Sequence, residues 1–511
     1  MPGFFRSSRL PWLAALLASL LAPGQARAIE TIRLRLPMLD DSFTIKVSDL
    51  RNPSALMQGT SDLAELNRAT NGQIGRQLSQ LLDSQLPIQL RAMVRNAVGS
   101  ALLDQVLLLV AALGEVDGVN QQPAEGSAEL EQALQQAAAR NNGTITLADV
   151  LAVIPGQTAT VDLNRFLIAL RRLKEQQQAA APLIQTVAPA GIDPAQSQPG
   201  PARPLRRTLK LPVAHRSTPL PLVVIEPNGP ANARLVVISH GLWDGPDNFE
   251  GWANHLASHG YTVVLPHHPG SDATQKQAML SGKAPPPGPA ELQLRPLDIS
   301  AVIDAAAAGG LQFSRPVNTG NVMVAGHSWG ATTALQLAGA RPSSLELRQF
   351  CTDLQDPARN LSWVLQCSFL GAADRSGLAD PRVKVAVAVS PPMRLLFAPG
   401  AADGMNARVL LVSGSRDWVV PVGPEAIDPL RNLSANNGLG GHRLVLAEGG
   451  DHFNLRGPNT TAGGPLKGVI LDWFDGAAVL PASGWGNGAF PLRDVTNALT
   501  PAAPAPATNA R

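Results

Sequence analysis

The stretch Asn321 to Gly339, NVMVAGHSWGATTALQLAG, constrains this chain more than any other. Asn321 to Ala325 is a short apolar, β-branched run, the pattern of a buried strand, and Thr332 to Ala338 reads as a helix with few breakers. Between them stands Gly326-His327-Ser328-Trp329-Gly330, a G-x-S-x-G pentapeptide. A serine on so sharp a strand-to-helix turn is held in a strained conformation with its hydroxyl outward. Flanking glycines lack the Cβ that would clash where strand and helix pack this closely. The helix N-terminus beyond the serine brings backbone N–H groups to an oxygen that turns negative during acyl transfer. The pentapeptide alone also fits an ordinary Gly-rich βα turn; the strand before it and the helix after it favour a nucleophile.

A serine hydroxyl needs a base to attack near neutral pH, and the base needs an orienting acid. In a strand–turn–helix setting of this kind the order along the chain is serine, acid, histidine. Leu410 to Asp417, LLVSGSRD, is a strand running into a loop that ends in a carboxylate, and Leu444 to His452, LVLAEGGDH, is a strand running into a loop that ends in a histidine. Asp417 is therefore the candidate acid and His452 the candidate base, with Asp451 the rival acid and a plain turn aspartate the bland alternative for Asp417. Trp329, next to the serine, supplies one oxyanion N–H. Leu235 to Leu242, LVVISHGL, supplies the other, with Leu242 the candidate donor and Gly241 the alternative. Trp243, Trp329 and Trp418 flank these positions, which suggests an apolar substrate pocket; core packing explains them equally well. His255 and His259 have metal-ligand spacing, but Leu256 stands where such a helix needs glutamate, so a surface histidine pair is expected and no metal site. His267 and His268 follow a strand and read as loop structure near the site.

At 511 residues the chain exceeds one ordinary domain. Met1 to Ala28 has the layout of a secretory signal: Arg6 and Arg9, an apolar run Leu10 to Leu21 too short to span a bilayer, and Ala26-Arg27-Ala28 for cleavage. A secreted or periplasmic protein beginning at Ile29 is expected. Removing the three arginines of that segment from the 41 basic residues leaves 38 against 39 acids, a charge of −1. That balance points away from nucleic acid and anionic membranes. Residues 29–178 read as a mainly helical domain opened by a hairpin, Ile32 to Leu36 with Phe43 to Val47. Helical patterns follow near Ser61 to Ala69, Ile74 to Ser84, Ile88 to Leu113, Ser127 to Ala139, Leu147 to Ile154 and Leu163 to Gln178, with Thr146 and Asp162 as caps for the last two. Residues 179–205, rich in Pro, Ala and Gln, read as a linker, and 481–511 as a Pro/Ala-rich tail, partly disordered. Between them, 206–480 alternates apolar strands with helices near Asn248 to His259, Asp298 to Ala308 and Ala331 to Ala340. Asp247 and Glu250 pair as a cap. The fold class is α/β: a mostly parallel sheet covered by helices on both faces.

Four segments carry a family resemblance: Ser239 to Asp272 (SHGLWDGPDNFEGWANHLASHGYTVVLPHHPGSD), Gly326 to Thr333 (GHSWGATT), Ser413 to Pro421 (SGSRDWVVP) and Gly449 to Phe453 (GGDHF). Over about Arg206 to Phe474 the chain resembles the α/β-hydrolase family, nearest the branch of platelet-activating-factor acetylhydrolases and predicted dienelactone hydrolases. The resemblance implies Ser328 as nucleophile, Asp417 as acid, His452 as base, and Leu242 with Trp329 as oxyanion donors, in agreement with the residue-level reading. True dienelactone hydrolases use a cysteine nucleophile where this chain has Ser328. Ile29 to about Arg172, ending TITLADVLAVIPGQTATVDLNRFL, is similar to an uncharacterised N-terminal domain on secreted bacterial hydrolases.

The expected activity is hydrolysis of a small-molecule or lipid carboxylic ester through an acyl-serine, with no cofactor. A cutinase-like or polyester hydrolase, a peptidase on the same fold, and a catalytically silent binding module are the alternatives. Cys351 and Cys367, the two cysteines of the chain, fall in residues 341–382, where such folds carry a lid over the sheet's carboxyl edge. In an exported protein a disulfide between them is expected, with two buried thiols as the alternative. Phe350, Leu361, Trp363 and Leu365 would form the lid's apolar lining.

Overall fold

The computed structural model describes residues 158–499 apart from 193, 354, 355, 357, 477–479, 481, 482 and 485–489. Before them it describes 29–35, 42–47, 56, 58–73, 76, 96, 97, 99–105, 114–116, 132 and 136. The signal segment, Thr146 and most of the helices expected between 74 and 154 lie outside the described residues, although 101–105 is helical. The chain divides into two compact units: residues 1–88, 114–120 and 129–162, and residues 89–113, 121–128 and 163–511.

In the smaller unit, strands β1 (Thr31–Arg35) and β2 (Ser42–Lys46) form the expected hairpin, Leu34 opposite Phe43. They belong to a four-stranded sheet with β3 (Gly114–Val116) and β4 (Thr158–Asp162), in the order β2-β1-β4-β3. Among the described residues the expected hairpin is thus part of a larger sheet. Thr158, Thr160 and Val161 are β-branched, and β4 gains a parallel partner in β1, far away in sequence. Asp162 ends β4 and directly precedes the helix Leu163–Gln178. The helix Asp62–Ala69 buries Leu63 and Ala64, and Asp62 Oδ2 accepts the Thr44 N–H at 2.7 Å.

The larger unit holds β5 (Gly191–Ile192), β6 (Arg203–Leu211), β7 (Leu220–Asn228), β8 (Arg234–Ser239), β9 (Thr262–Pro266), β10 (Asn318–His327), β11 (Val383–Val389), β12 (Arg408–Gly414), β13 (Arg443–Ala447), β14 (Ser483–Gly484) and β15 (Leu492–Asp494). Nine of them make one sheet, in the order β15-β13-β12-β11-β10-β8-β9-β7-β6. The strands from β13 to β9 run parallel, while β7, β6 and β15 pair antiparallel, with β6 and β15 at the edges. The continuous apolar strands are explained by burial on both faces. Leu235, Val237, Val322, Val324, Val409 and Leu411 enter one core with Ile299, Val302 and Leu337. Val236, Ile238, Met323, Ala325, Leu410 and Val412 enter the other with Trp252, Leu256, Val469 and Trp473. Successive residues of a strand alternate between the two cores, as the two-residue period of a strand requires.

Several boundaries differ from the sequence reading. The helix Leu163–Gln178 belongs to this larger unit, so the division falls at 162/163 and not after 178. Residues 179–205, expected as a linker, carry the helices Ala181–Thr186 and Pro194–Ser197 and the strand β5, and bury Ala180 and Leu183 in the core. The tail supplies β15, paired with β13, and buries Leu492, Val495 and Leu499. The helix expected from Asp298 begins at Glu291 and runs through Pro296 to Ala307. Its first turns persist because Glu291 and Arg295 are buried and hydrogen-bonded across the unit. Glu250 does not pair with Asp247 as a cap: the helix Glu250–Ser258 has no side-chain cap, and Glu250 takes a bidentate contact from Arg206 at 2.7 and 2.9 Å.

Candidate active site

Ser328 lies between β10 and the helix Trp329–Leu337 at φ 55°, ψ −124°, a strained conformation for a residue with a Cβ. Its neighbours dictate the glycines. A Cβ on Gly326 would sit 2.0 Å from the Gly330 carbonyl oxygen, and one on Gly330 would sit 2.0 Å from that of Ser239. The Ser328 N–H donates to Val389 O at 2.9 Å, which pins the turn to the end of β11.

The other two candidates emerge from parallel neighbours, β12 and β13, at the same carboxyl edge. Asp417 is fully buried; its Oδ1 accepts the Val419 and Val420 N–H groups at 3.0 and 2.7 Å, and its Oδ2 lies 2.9 Å from His452 Nδ1. Those two N–H groups hold the carboxylate in place for the imidazole. Asp451 faces its own loop, accepting from Phe453 and Asn454 N–H, and makes no bond to the His452 ring. His327, the residue before Ser328, places its Nε2 2.7 Å from the His452 carbonyl, and the two rings stand 4.7 Å apart. Burial, with His452 beside it, pushes His327 well below the usual imidazole range, so it is neutral and donates through Nε2. The elbow and the histidine loop are thereby bonded to each other. Ser328 Oγ and His452 Nε2 are not hydrogen-bonded in this structure, a contact that such sites often complete only around substrate.

Trp329 and Leu242 present backbone N–H groups that have no acceptor among the described residues. Gly241 runs close by: a Cβ there would lie 3.2 Å from Ser328 Cβ. The Trp329 ring is buried against Phe369 at 4.5 Å, within an apolar cluster that includes Leu292, Trp363, Leu395 and both cysteines, with Leu242 packed on it. Cys351 and Cys367 form a disulfide, with Cα atoms 5.6 Å apart, between the helices Leu345–Phe350 and Leu361–Cys367. Of the expected lid residues, Phe350 meets Trp363 edge-on at 5.7 Å and Leu365 packs on the same cluster. Trp418 and Phe453, next to the acid and the base, are both nearly half exposed, their rings 6.0 Å apart. Trp243 is turned elsewhere, its indole donating to Gln275 at 2.9 Å.

Sequence reasoning missed the polar layer behind this edge. Ser239 Oγ, His268 Nε2, His268 Nδ1 and Asp298 Oδ2 are linked at 2.9 and 2.7 Å, a second serine–histidine–aspartate line. All three residues are fully buried, and Asp298 is also gripped by Arg216 at 2.6 Å and by His215 at 2.8 Å. Burial alone would raise the Asp298 carboxyl; the bonds from His215, His268 and Arg216 outweigh it and hold it well below the usual carboxylate range. Burial pushes His268 down to about 4, so it is neutral. This line is sealed from solvent and braces the strand end that leads into Gly241. Only the His267-His268 pair had pointed to it, because its bonded members are 29 and 30 residues apart. His255 and His259 are not a free surface pair: each is bonded to a carbonyl, of Gln196 at 2.9 Å and Gln198 at 3.2 Å. Gln177 was also missed; its amide donates to the carbonyls of Arg416 and Asp417 at 3.0 and 3.3 Å. Among the described residues no cluster suited to a metal ion occurs, and no helix is long and apolar enough to cross a membrane.

Residues 234–346, which contain the candidate nucleophile and both candidate oxyanion donors, match the family model described as alpha/beta hydrolase fold. Residues 28–162 match a second model, described as alpha/beta hydrolase of unknown function (DUF1400); its end coincides with the end of the smaller unit at 162. No curated protein matches the chain. The two matches and the nine-stranded, mostly parallel sheet with helices on both faces together establish that this chain has an α/β-hydrolase fold.

Proposed function

We propose that the protein is an exported serine hydrolase that cleaves carboxylic esters through an acyl-enzyme. The observation that carries this reading is the Asp417–His452 pair at 2.9 Å, joined through His327 to a serine held at φ 55° on a strand-to-helix turn. Ser328 Oγ attacks the ester carbonyl while His452 Nε2 takes its proton; Asp417, on Nδ1, fixes the tautomer and steadies the imidazolium. The carbonyl oxygen becomes an anion facing the unspent N–H groups of Leu242 and Trp329, each such donor being worth about 10²- to 10³-fold in rate. His452 then protonates the leaving alcohol, and water, deprotonated by the same nitrogen, releases the acid. Partly exposed Leu242, packed on the buried cluster of Trp329, Phe369 and Leu395, offers the acyl group an apolar surface. The disulfide fits an oxidising, extracytoplasmic location.

The test is turnover of p-nitrophenyl esters from acetate to long acyl chains, beside peptide anilides, by wild type and Ser328→Ala. Ester turnover that falls about 10⁴-fold or more in the variant supports the reading. Near-normal turnover by Ser328→Ala removes it, and anilide cleavage in place of ester cleavage favours the peptidase. A wild-type protein inert to both favours a silent binding module.

A further inference from the structure

Arg295, on the helix Glu291–Ala307, is buried, with 1% of its surface exposed. Burial pushes its guanidinium down to about 10, so it keeps its charge at neutral pH. A buried cation is costly unless each donor is engaged. Its nearest carboxylate, Glu291, stands 3.8 Å away, and the short bonds go elsewhere. Nη1 donates to the His240 carbonyl at 2.6 Å, Nη2 to the Gly241 carbonyl at 3.1 Å, and Nε to Ser271 Oγ at 2.9 Å. The guanidinium carbon also lies 5.6 Å from the Trp329 ring centroid. One side chain thus touches both residues that carry the candidate oxyanion N–H groups or their peptide planes.

The geometry of the peptide gives these bonds a consequence. In a trans peptide the C=O of one residue and the N–H of the next point in opposite directions within one plane. The Gly241 carbonyl and the Leu242 N–H belong to the same plane, as do the His240 carbonyl and the Gly241 N–H. Arg295 pulls both carbonyls toward the buried polar layer and so turns both N–H groups the other way. Gly241 Cα is close enough to the nucleophile that a Cβ there would lie 3.2 Å from Ser328 Cβ. His240 adds a second grip: its Nδ1 is 2.7 Å from the Gly241 carbonyl, while its Nε2 accepts the His268 N–H at 3.1 Å. A cation on a carbonyl also polarises the amide, which strengthens its N–H as a donor.

We infer that Arg295 is a positioning residue for the oxyanion hole: it orients and polarises the Gly241–Leu242 peptide so that the Leu242 N–H meets the developing alkoxide. The inference rests on the proposed acyl-transfer reading of Ser328. Its test uses the full-length mature protein and the variants Arg295→Met and Arg295→Lys. The lysine variant keeps the charge and is the one to use if the methionine variant does not fold. The readouts are kcat and KM on a p-nitrophenyl ester, and the inhibition constant of a trifluoromethyl ketone, which binds serine as a tetrahedral oxyanion. Loss of the positioned donor is expected to lower kcat about 10²-fold, with KM within about threefold, and to weaken the ketone in parallel with kcat/KM. The lysine variant is expected to fall between wild type and methionine. A folded variant with kcat within about threefold of wild type overturns the inference. So does a loss of turnover with unchanged ketone affinity, which marks a merely structural arginine. If the wild-type protein hydrolyses no ester, the acyl-transfer reading fails and this inference falls with it; normal wild-type turnover with indifferent Arg295 variants removes this inference alone.

Discussion

Reducing the Cys351–Cys367 bridge is expected to destabilise the larger unit and to loosen one wall of the site. The bridge spans 16 residues of chain, for which loop-closure entropy in the unfolded state gives about 3 kcal/mol. Both sulfurs are buried in the cluster that holds Trp329, so the reduced thiols still fill the same space and the loss is chiefly the chain constraint. The two bridged helices should not respond equally. The helix Leu361–Cys367 stays tethered through Gln366, whose Nε2 donates to Glu425 at 3.0 Å and whose Oε1 accepts the Leu395 N–H at 2.7 Å. The helix Leu345–Phe350 is anchored by buried Leu347, but its polar ties, Arg348 to Asp374 and Arg394 to Glu346, lie nearer the surface and are worth less in water. Hydrogen exchange with and without a phosphine reductant is therefore expected to show faster exchange in 345–350 before any change in 361–367. Urea unfolding followed by tryptophan fluorescence should lose about 3 kcal/mol, and the acyl-length preference should shift more than the rate on a short acetate ester. An unchanged unfolding midpoint after verified reduction, or equal exchange in both helices, would refute the reasoning.

Asp417→Asn is expected to lower ester kcat about 10⁴-fold with little change in KM, because the amide favours the wrong His452 tautomer; a loss under tenfold would show that His452 does not depend on this carboxylate. Stability is expected to fall as the solution is acidified from about pH 6.5 toward 4. Burial pushes His255 and His268 down to about 4, so between those limits the unfolded chain binds protons that the folded protein refuses. Each such histidine contributes up to about 1.4 kcal/mol per pH unit over that window, and below it the effect levels off. A urea midpoint that is the same at pH 7 and pH 5 would contradict this.

What was legible in the sequence was local or strongly patterned. The apolar runs at Leu410 and Leu444, each leading into a loop, read as strands and are β12 and β13 in the structure. The order Ser328, Asp417, His452 also selected residues that the fold brings to one edge, because each follows directly from a strand end. What was not legible depended on distant partners. β4 is a strand because β1 lies beside it, and 179–205 is ordered because Ala180 and Leu183 reach the core of a sheet whose strands begin later in the chain. Pro296 signals a helix break, yet the turns before it are held by Arg216, Ser271 and the His240 and Gly241 carbonyls. The Ser239–His268–Asp298 line has the residue types of an active site, but Ser239 lacks the strained turn and paired flanking glycines of Ser328, and the complete burial of the line cannot be read from residue type.

That contrast defines the most direct test. The purified protein is treated with a fluorophosphonate, its intact mass is measured, and the modified residue is located by peptide mapping. The account predicts one adduct per chain, on Ser328, with simultaneous loss of ester turnover and no adduct on the sealed Ser239. An ester-hydrolysing protein that takes no adduct, or one modified at a serine other than Ser328, would contradict it.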